Sequence, residues 1–167
     1  MKLLIILSIL ISSLTAGKKA PAEAEMTGRW GYVANEFVFM DKEGPTPDKK
    51  AVDEHLSAMG ASKTNCVVSF SSDHKGSLKL GSKSMDFDWT LDAKTRQFKA
   101  TVAMVSIKGY MVRDVKRIVL VFKRSDLFLI MRYLCNSTGR KHIAPLGELL
   151  DSTKGMTLAM AFEASGS

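Results

Sequence analysis

The sequence predicts a mainly β protein, an antiparallel barrel of about eight strands with three helices covering one end and one side. The first observation is strict alternation of apolar and polar residues in three separated segments, 85–91, 98–104 and 156–162. This period of two is typical of strands with one dry face. The second observation is the short polar turn sequences between most of the predicted strands, which favour pairing between strands that are neighbours in the chain.

The first half of the chain contains one long strand region, one helix and a meander. Residues 29–33 and 36–40 indicate strand, bent at Ala34 and Asn35. Thr46 as N-cap and Pro47 at the first helical position predict a helix over 47–59 that ends at Gly60. Further strands, joined by connections of a few residues, are predicted at 66–71, 78–80, 85–91, 98–107, 110–113 and 117–123, with a break at Lys108 and Gly109.

One strand of the meander differs from the others because residues 118–122 are apolar at every position. Both of its faces should therefore be covered. One face points into the barrel, and the helix that follows at once, capped by Ser125 and continuing to Leu134, is the natural cover for the other. A third helix is predicted over 143–152 from its apolar spacing, and the last strand completes the fold.

The first residues predict export. A positive Lys2, an apolar run too short to span a bilayer comfortably, and small residues up to Gly17 make residues 1–17 a secretory signal peptide. Residues 18–26 are polar and small, which predicts a flexible leader, and the barrel domain occupies 27–164. We expect a periplasmic or extracellular protein that is soluble after cleavage. An uncleaved membrane anchor is the less favoured alternative, and Lys18 stands where a lipoprotein would have Cys.

Cysteine and histidine placement argues against a metal site. Cys66 and Cys135 are the two cysteines, and they could form a disulfide outside the cytoplasm. Two buried, unpaired thiols are the favoured interpretation, because sequence cannot place the two side chains together. The three histidines are scattered and none lies at ligand spacing from a cysteine, so we expect no metal and no cofactor.

Short motifs along the chain carry a family resemblance. Gly28, Arg29 and Trp30 resemble the Gly-x-Trp opening of lipocalins, in which the tryptophan packs across one end of the barrel. The chain after residue 27 resembles an uncharacterised lipocalin-like family of secreted proteins from gut Gram-negative bacteria. The segments that carry this resemblance are 37–39, 47–59, 67–70, 80–83, 120–129, 149–151 and 155–156. It implies a lipocalin-like barrel and an envelope location, and it brings no established ligand and no catalytic residue.

The functional question for a barrel of this size is whether its interior is open or filled, since eight strands allow either. The residues predicted to face inward and to line a ligand pocket are Trp30, Tyr32, Phe70, Phe87, Trp89, Phe98, Met104 and Phe122. An open interior makes them a site for a small apolar or amphipathic ligand. A filled interior makes them a core, and the sequence leaves both possibilities open.

Charge is concentrated in one region of the chain. The formal net charge is +7, and residues 108–141 hold nine basic and two acidic residues. The candidate anion-binding patch consists of Lys116, Arg117, Lys123, Arg124, Arg132, Arg140 and Lys141. Such a patch attracts an anionic membrane surface, a glycan or an acidic protein partner; the alternative is solvated charge that maintains solubility.

Catalytic patterns do not emerge from the sequence. Asp86 and Asp88 lie on the polar face of a strand, where solvation explains them, and no Gly-x-Ser-x-Gly motif is present. Export and the absence of an exposed aromatic stacking face argue against nucleic acid. We expect a monomeric, non-enzymatic protein that binds a small ligand in its barrel. The alternative is a collapsed barrel that docks an anionic partner through the basic region 108–141.

Overall fold

The eight strands close into one antiparallel barrel in chain order, which confirms the predicted fold class. The computed structural model describes residues 23–114 and 116–165. The strands are β1 (Gly28–Glu43), β2 (Cys66–Phe70), β3 (Lys75–Leu80), β4 (Lys83–Asp92), β5 (Gln97–Val102), β6 (Val105–Asp114), β7 (Arg117–Phe122) and β8 (Lys154–Ala164).

Strand β1 closes the barrel because it is long enough to pair on both sides. Its first residues, Gly28 to Gly31, pair with β2, and residues from Trp30 onward pair with β8. The register against β8 shifts between Tyr32 and Ala34, and an irregularity of this kind bends a strand. This register shift lies next to the bend that the sequence predicts at Ala34 and Asn35, and both segments belong to one continuous strand.

The described residues form four helices, α1 (Lys49–Ala58), α2 (Arg124–Leu134), α3 (Ser137–Arg140) and α4 (Ile143–Asp151). Helix α1 begins later than predicted because the Asp48 side chain, rather than that of Thr46, accepts the first backbone N–H, from Lys50, at 2.9 Å. Helix α2 begins one residue before the predicted Ser125 cap. None of the described helices has the length and apolar character needed to cross a bilayer.

Helix α2 lies across one mouth of the barrel. At its start, Arg124 donates to the backbone oxygens of Thr153 and Met156, at 3.3 and 3.0 Å, next to and within β8. Just beyond its end, the carbonyl of Cys135 accepts a hydrogen bond of 3.4 Å from Nζ of Lys83 on β4. Strands β4 and β8 are opposite each other in an eight-stranded ring. Eleven helical residues extend about 16 Å, so α2 spans the opening.

This arrangement differs from the predicted cover for β7. The buried side chains of α2, Leu127, Ile130, Met131 and Leu134, belong to the interior cluster together with alternate residues of β7. Val119 and Val121 face outward and pack in a separate cluster with residues of β1, β6 and β8. Helix α2 therefore closes the end of the barrel and does not cover the outer face of β7.

The hairpin between β5 and β6 also lies elsewhere than predicted. The chain reverses between Val102 and Val105, with Ala103 at φ +52°, and β6 runs through Lys108 and Gly109 without a break. A β-carbon at Gly109 would overlap the carbonyl oxygen of Val121 and lie 2.7 Å from Cδ1 of the Phe122 ring. This glycine permits close packing in mid-strand and does not make a turn.

The opposite end of the barrel is closed by the segment before β1. Glu23–Glu25 forms a short 3-10 helix, and Met26 is fully buried. The Trp30 Nε1–H donates to the Met26 carbonyl at 2.9 Å, and Arg113 pairs with Glu25 at 3.1 Å. This part of the predicted leader is packed on the barrel. The predicted signal peptide, residues 1–17, and residues 18–22 lie outside the described residues.

Candidate functional site

The barrel interior is filled by aromatic rings in edge-to-face contact. The Phe70 ring lies 5.3 Å from Trp89, 5.9 Å from Phe87 and 5.9 Å from Phe98, measured between ring centroids. Phe98 in turn lies 6.1 Å from Phe122. These distances and the steep interplanar angles are those that aromatic quadrupoles favour, so the rings form one cluster of edge-to-face contacts across the barrel.

Seven of the eight residues predicted to face inward lie in the interior cluster: Trp30, Tyr32, Phe70, Phe87, Trp89, Phe98 and Phe122. The prediction for Met104 is wrong, because its side chain is 98% exposed. The alternation that begins at Phe98 was extended through the tight turn that starts after Val102. Beyond the last paired residue the pleat no longer decides which way a side chain points.

The space left inside the barrel is small. A cavity of about 60 Å³ lies beneath α2, and apolar side chains line it, Phe70, Phe87, Phe98 and Phe122 among them. Pockets that hold a small-molecule ligand measure roughly 300–1,000 Å³. As formed by residues 23–114 and 116–165, the barrel interior is therefore too small for an open ligand pocket, and the inward aromatic residues act as a packed core.

An open depression lies outside the barrel, over the outer faces of β2 to β5. It measures about 730 Å³ and is lined mainly by polar side chains. These side chains bond to one another: the Ser69 and Ser77 hydroxyls are 2.8 Å apart, and Lys75 pairs with Asp88. These two pairs use up part of the hydrogen-bonding capacity of a broad, open surface, which favours solvation over a directed ligand site.

The end of the barrel that carries the four helices and the turn between β5 and β6, here called the helical end, has a different surface. The exposed residues of α2 are Ser125, Leu129, Arg132 and Tyr133, which share one helix face by their spacing. Leu129 is 52% exposed and Tyr133 is 60% exposed. Among the described residues, the other two exposed large hydrophobic side chains are Met104, in the β5–β6 turn, and Val105, the first residue of β6, at the same end.

The structure brings five of the seven predicted patch residues together at the helical end, and these are Lys123, Arg124, Arg132, Arg140 and Lys141. Residues 123–141 contain these five basic residues and one acid, Asp126. Lys116 and Arg117 lie at the opposite end, separated by the six residues of β7, which extend about 17 Å. The single patch predicted from the sequence is thus two separate groups.

Some basic side chains of the helical end are bonded within the fold, and others are exposed to solvent. Arg124 pairs with Asp151 and, through its carbonyl contacts, fixes the start of α2, so its role is structural. The Nε–H of Arg140 donates to the carbonyl of Arg132 at 3.1 Å and ties α3 to the end of α2. The side chains of Lys123, Arg132, Arg140 and Lys141 are exposed. This leaves four solvent-exposed cations at the helical end: Lys123 at the start of α2, Arg132 next to Tyr133, and Arg140 and Lys141 at the end of α3.

Sequence reasoning missed the apolar half of this surface. The predicted helix is apolar at most positions, but Leu129 and Tyr133 fall outside the stripe formed by residues 127, 130, 131 and 134. That stripe alone satisfies the spacing of a core-facing helix. Two large apolar residues four positions apart on the other face were the available signal.

The two cysteines are free and buried, which is the arrangement the sequence favours. Burial, with a smaller contribution from the neighbouring Cys135, raises the pKa of the Cys66 thiol to about 12, and burial also raises the pKa of Cys135. Within residues 23–114 and 116–165, no three His, Cys, Asp or Glu side chains are grouped so that they could hold a metal ion.

We expect both thiols to resist alkylation in the native state at about pH 8, because the thiolate is the nucleophile and burial disfavours it. An unfolded thiol titrates near pH 8.5, so the unfolded state loses its protons first. Stability should therefore fall as pH rises above that value. Mass spectrometry after iodoacetamide treatment tests the protection of the two thiols. No modification is expected in buffer, and two modifications are expected in concentrated guanidinium chloride. Rapid modification of the native protein would contradict the burial of the two thiols.

Comparison with known proteins agrees with this architecture. A family profile described as "Lipocalin-like domain (DUF4923)" matches residues 7–164, which confirms the resemblance found in the sequence. No curated protein sequence matches the chain. Among solved structures, the chain is similar to the crystal structure of a duf4847 family protein from Bacteroides vulgatus ATCC 8482. The identity is 10% and the TM-score 0.43, over 85% of this chain and 95% of that chain.

Proposed function

We propose, for a chain that belongs to the lipocalin-like DUF4923 family, that the protein is a non-enzymatic docking module whose helical end binds an anionic membrane surface. The observation that carries this proposal is the position of the exposed large hydrophobic side chains. In the described part of the chain, all four of them lie at the helical end, and four exposed cations lie on or beside α2 at the same end.

A lipid interface fits both halves of this surface. Leu129 can enter the boundary between headgroups and acyl chains, and Tyr133 suits the same depth because its ring is apolar and its hydroxyl is polar. Each basic side chain near an anionic leaflet contributes about 1 kcal/mol. Carbohydrate satisfies the cations but gives the exposed leucine and methionine little apolar surface to contact. A protein partner would need an apolar patch framed by acidic groups, whereas an anionic membrane presents both over its whole surface, so we favour a membrane.

Export belongs to the same proposal, since the signal peptide predicted for residues 1–17 would bring the barrel to an envelope membrane. The alternative of a small apolar ligand inside the barrel is less well supported, because the interior cavity of about 60 Å³ is far below the size of a ligand pocket. Uptake of lipid into the barrel would therefore contradict the proposal.

The double substitution Leu129→Ser with Tyr133→Ser is expected to weaken vesicle binding by about tenfold or more, because it removes the apolar part of the contact. Both side chains are exposed, so the fold should remain intact. Co-sedimentation with vesicles of phosphatidylglycerol mixed with phosphatidylcholine measures the effect. Unchanged binding by this variant would remove the helical end as the docking surface.

The contribution of the basic side chains to vesicle binding is tested by reversing the charge of two of them. Arg132→Glu with Lys141→Glu should weaken binding to the anionic vesicles and reduce its salt dependence, since fewer cations then meet the headgroups. The matched control, with the same change of net charge, is Lys94→Glu with Lys116→Glu at the opposite end, where both residues are exposed; it should bind as the parent protein does. Every variant keeps the same first 22 residues, so differences between them report on the helical end. Equal loss in the control would point to net charge alone.

A further inference from the structure

Two histidines meet where α1 packs against α4. His55 lies on α1 and His142 directly precedes α4, and their Nδ1 atoms are 3.0 Å apart. The ring centroids are 5.3 Å apart and the planes are tilted by 54°. Both residues are partly buried. They are 87 positions apart in the sequence, so only the fold brings them together.

The positions of the protons on the two rings decide whether the facing Nδ1 atoms form a hydrogen bond or bind an ion. A hydrogen bond between two Nδ1 atoms needs one ring to carry its proton there and the other to present a lone pair. If both rings carry the proton on Nε2, two lone pairs converge on one point. Two imidazole nitrogens bound to one tetrahedral ion at about 2.05 Å are about 3.3 Å apart. To hold a tetrahedral ion, the two Nδ1 atoms therefore have to separate by about 0.3 Å and each ring has to rotate by about 35°, so that both lone pairs point at the ion and not at each other.

We propose that His55 and His142 bind a divalent transition metal ion of the zinc or copper kind through their Nδ1 atoms, with water in the remaining positions. Neutral imidazole suits these ions, whereas magnesium and calcium prefer oxygen ligands. Binding moves one proton within a ring from Nδ1 to Nε2, so no net proton release is required when both rings are neutral. The site joins α1 to α4 and is independent of the membrane-docking proposal.

The ion should stabilise the folded protein, because the unfolded chain does not hold the two histidines together. With free zinc at roughly ten times the dissociation constant, the melting temperature of the tag-free, full-length protein should rise by about 4 °C. Chelation should reverse the rise, and magnesium should not produce it.

Three matched variants identify the ligands. His55→Gln and His142→Gln should each abolish the zinc-dependent rise. His74→Gln should retain it, since His74 lies at the other end of the barrel, 3.8 Å from Glu23. If one of the first two variants does not fold, the other carries the test. A rise that persists in both, or that is absent from the parent protein, would overturn the proposal.

A spectroscopic measurement separates a metal site from a structural hydrogen bond. Stoichiometric copper bound to the parent protein should show an electron paramagnetic resonance spectrum with two equivalent nitrogen couplings. His142→Gln should lose one of these couplings, and His74→Gln should change nothing. A parent spectrum without a two-nitrogen species would mean that the pair only links the helices by a hydrogen bond.

Discussion

Replacing Phe98 by alanine is expected to lower the free energy of unfolding by about 4 kcal/mol. The ring is 2% exposed and packs against Phe70, Phe87 and Phe122 at centroid distances of 5.9, 6.5 and 6.1 Å. Its removal costs the transfer energy of the ring and leaves a cavity that the closed barrel cannot collapse to fill. Denaturant unfolding followed by tryptophan fluorescence measures the loss.

The matched control is Met104→Ala, which truncates the one residue of the predicted inward set that lies on the surface. Because that side chain is 98% exposed, the substitution should change stability by less than about 0.5 kcal/mol. A Phe98→Ala cost near that of the control would show that the ring lines an open, hydrated space. The interior would then have to be reconsidered as a ligand pocket.

Gly109→Ala should cost about 3 kcal/mol, a large effect for one methyl group. The new β-carbon would overlap the carbonyl oxygen of Val121 and lie 2.7 Å from the Phe122 ring, and a backbone neighbour cannot move aside as a flexible side chain can. Overpacking of this kind forces strands apart or rings out of their rotamers. Thermal or denaturant unfolding, monitored by circular dichroism, gives the value.

Gly147→Ala on α4 is the control for the same chemical change. Its new β-carbon would meet the Phe128 ring at an ordinary distance of 3.8 Å, and alanine is the better helix former. Stability should therefore stay the same or rise by up to about 1 kcal/mol. Similar losses in both glycine variants would contradict the assignment of Gly109 to a crowded strand interior.

The strand faces could be predicted from sequence wherever the pleat alone decides them. Along β4, Met85, Phe87, Trp89 and Leu91 are buried while the residues between them are exposed, as the alternation of period two requires. The eight-stranded closure followed from the same pattern, because a meander with one dry face must curl to bury it. The helix over 143–152 likewise followed from its apolar spacing.

Other features depend on pairing in space, which a single sequence does not record. Met104 continues an alternating run, yet the chain reverses after Val102 because the register of β6 ends the ladder there. Gly109 resembled a turn residue, but it lies opposite aromatic residues on both neighbouring strands. Whether the inward rings leave room for a ligand depends on their interplanar angles and on how α2 closes the mouth, and neither is encoded by periodicity.

For the candidate site, too, the sequence predicts the composition, and the fold decides which residues come together. The excess of basic residues between 108 and 141 is visible in the sequence, but β7 runs the height of the barrel and carries Lys116 and Arg117 to the other end. Proximity along the chain therefore predicts a larger basic patch than the one the structure forms. The apolar residues that complete the surface became recognisable only when α2 was seen to lie across the mouth with one face in solvent.

Quenching by brominated lipid distinguishes docking at the helical end from uptake into the barrel. Tyr133→Trp places an indole on the exposed face of α2, whereas the native Trp30 and Trp89 are buried, at 5% and 2% exposure. With vesicles of brominated phosphatidylglycerol, we predict that the emission added by Tyr133→Trp is quenched and shifted to the blue, and that the emission of the parent protein is unchanged. Quenching of the native tryptophans, with none at position 133, would show that lipid enters the barrel and that the helical end is not the docking surface.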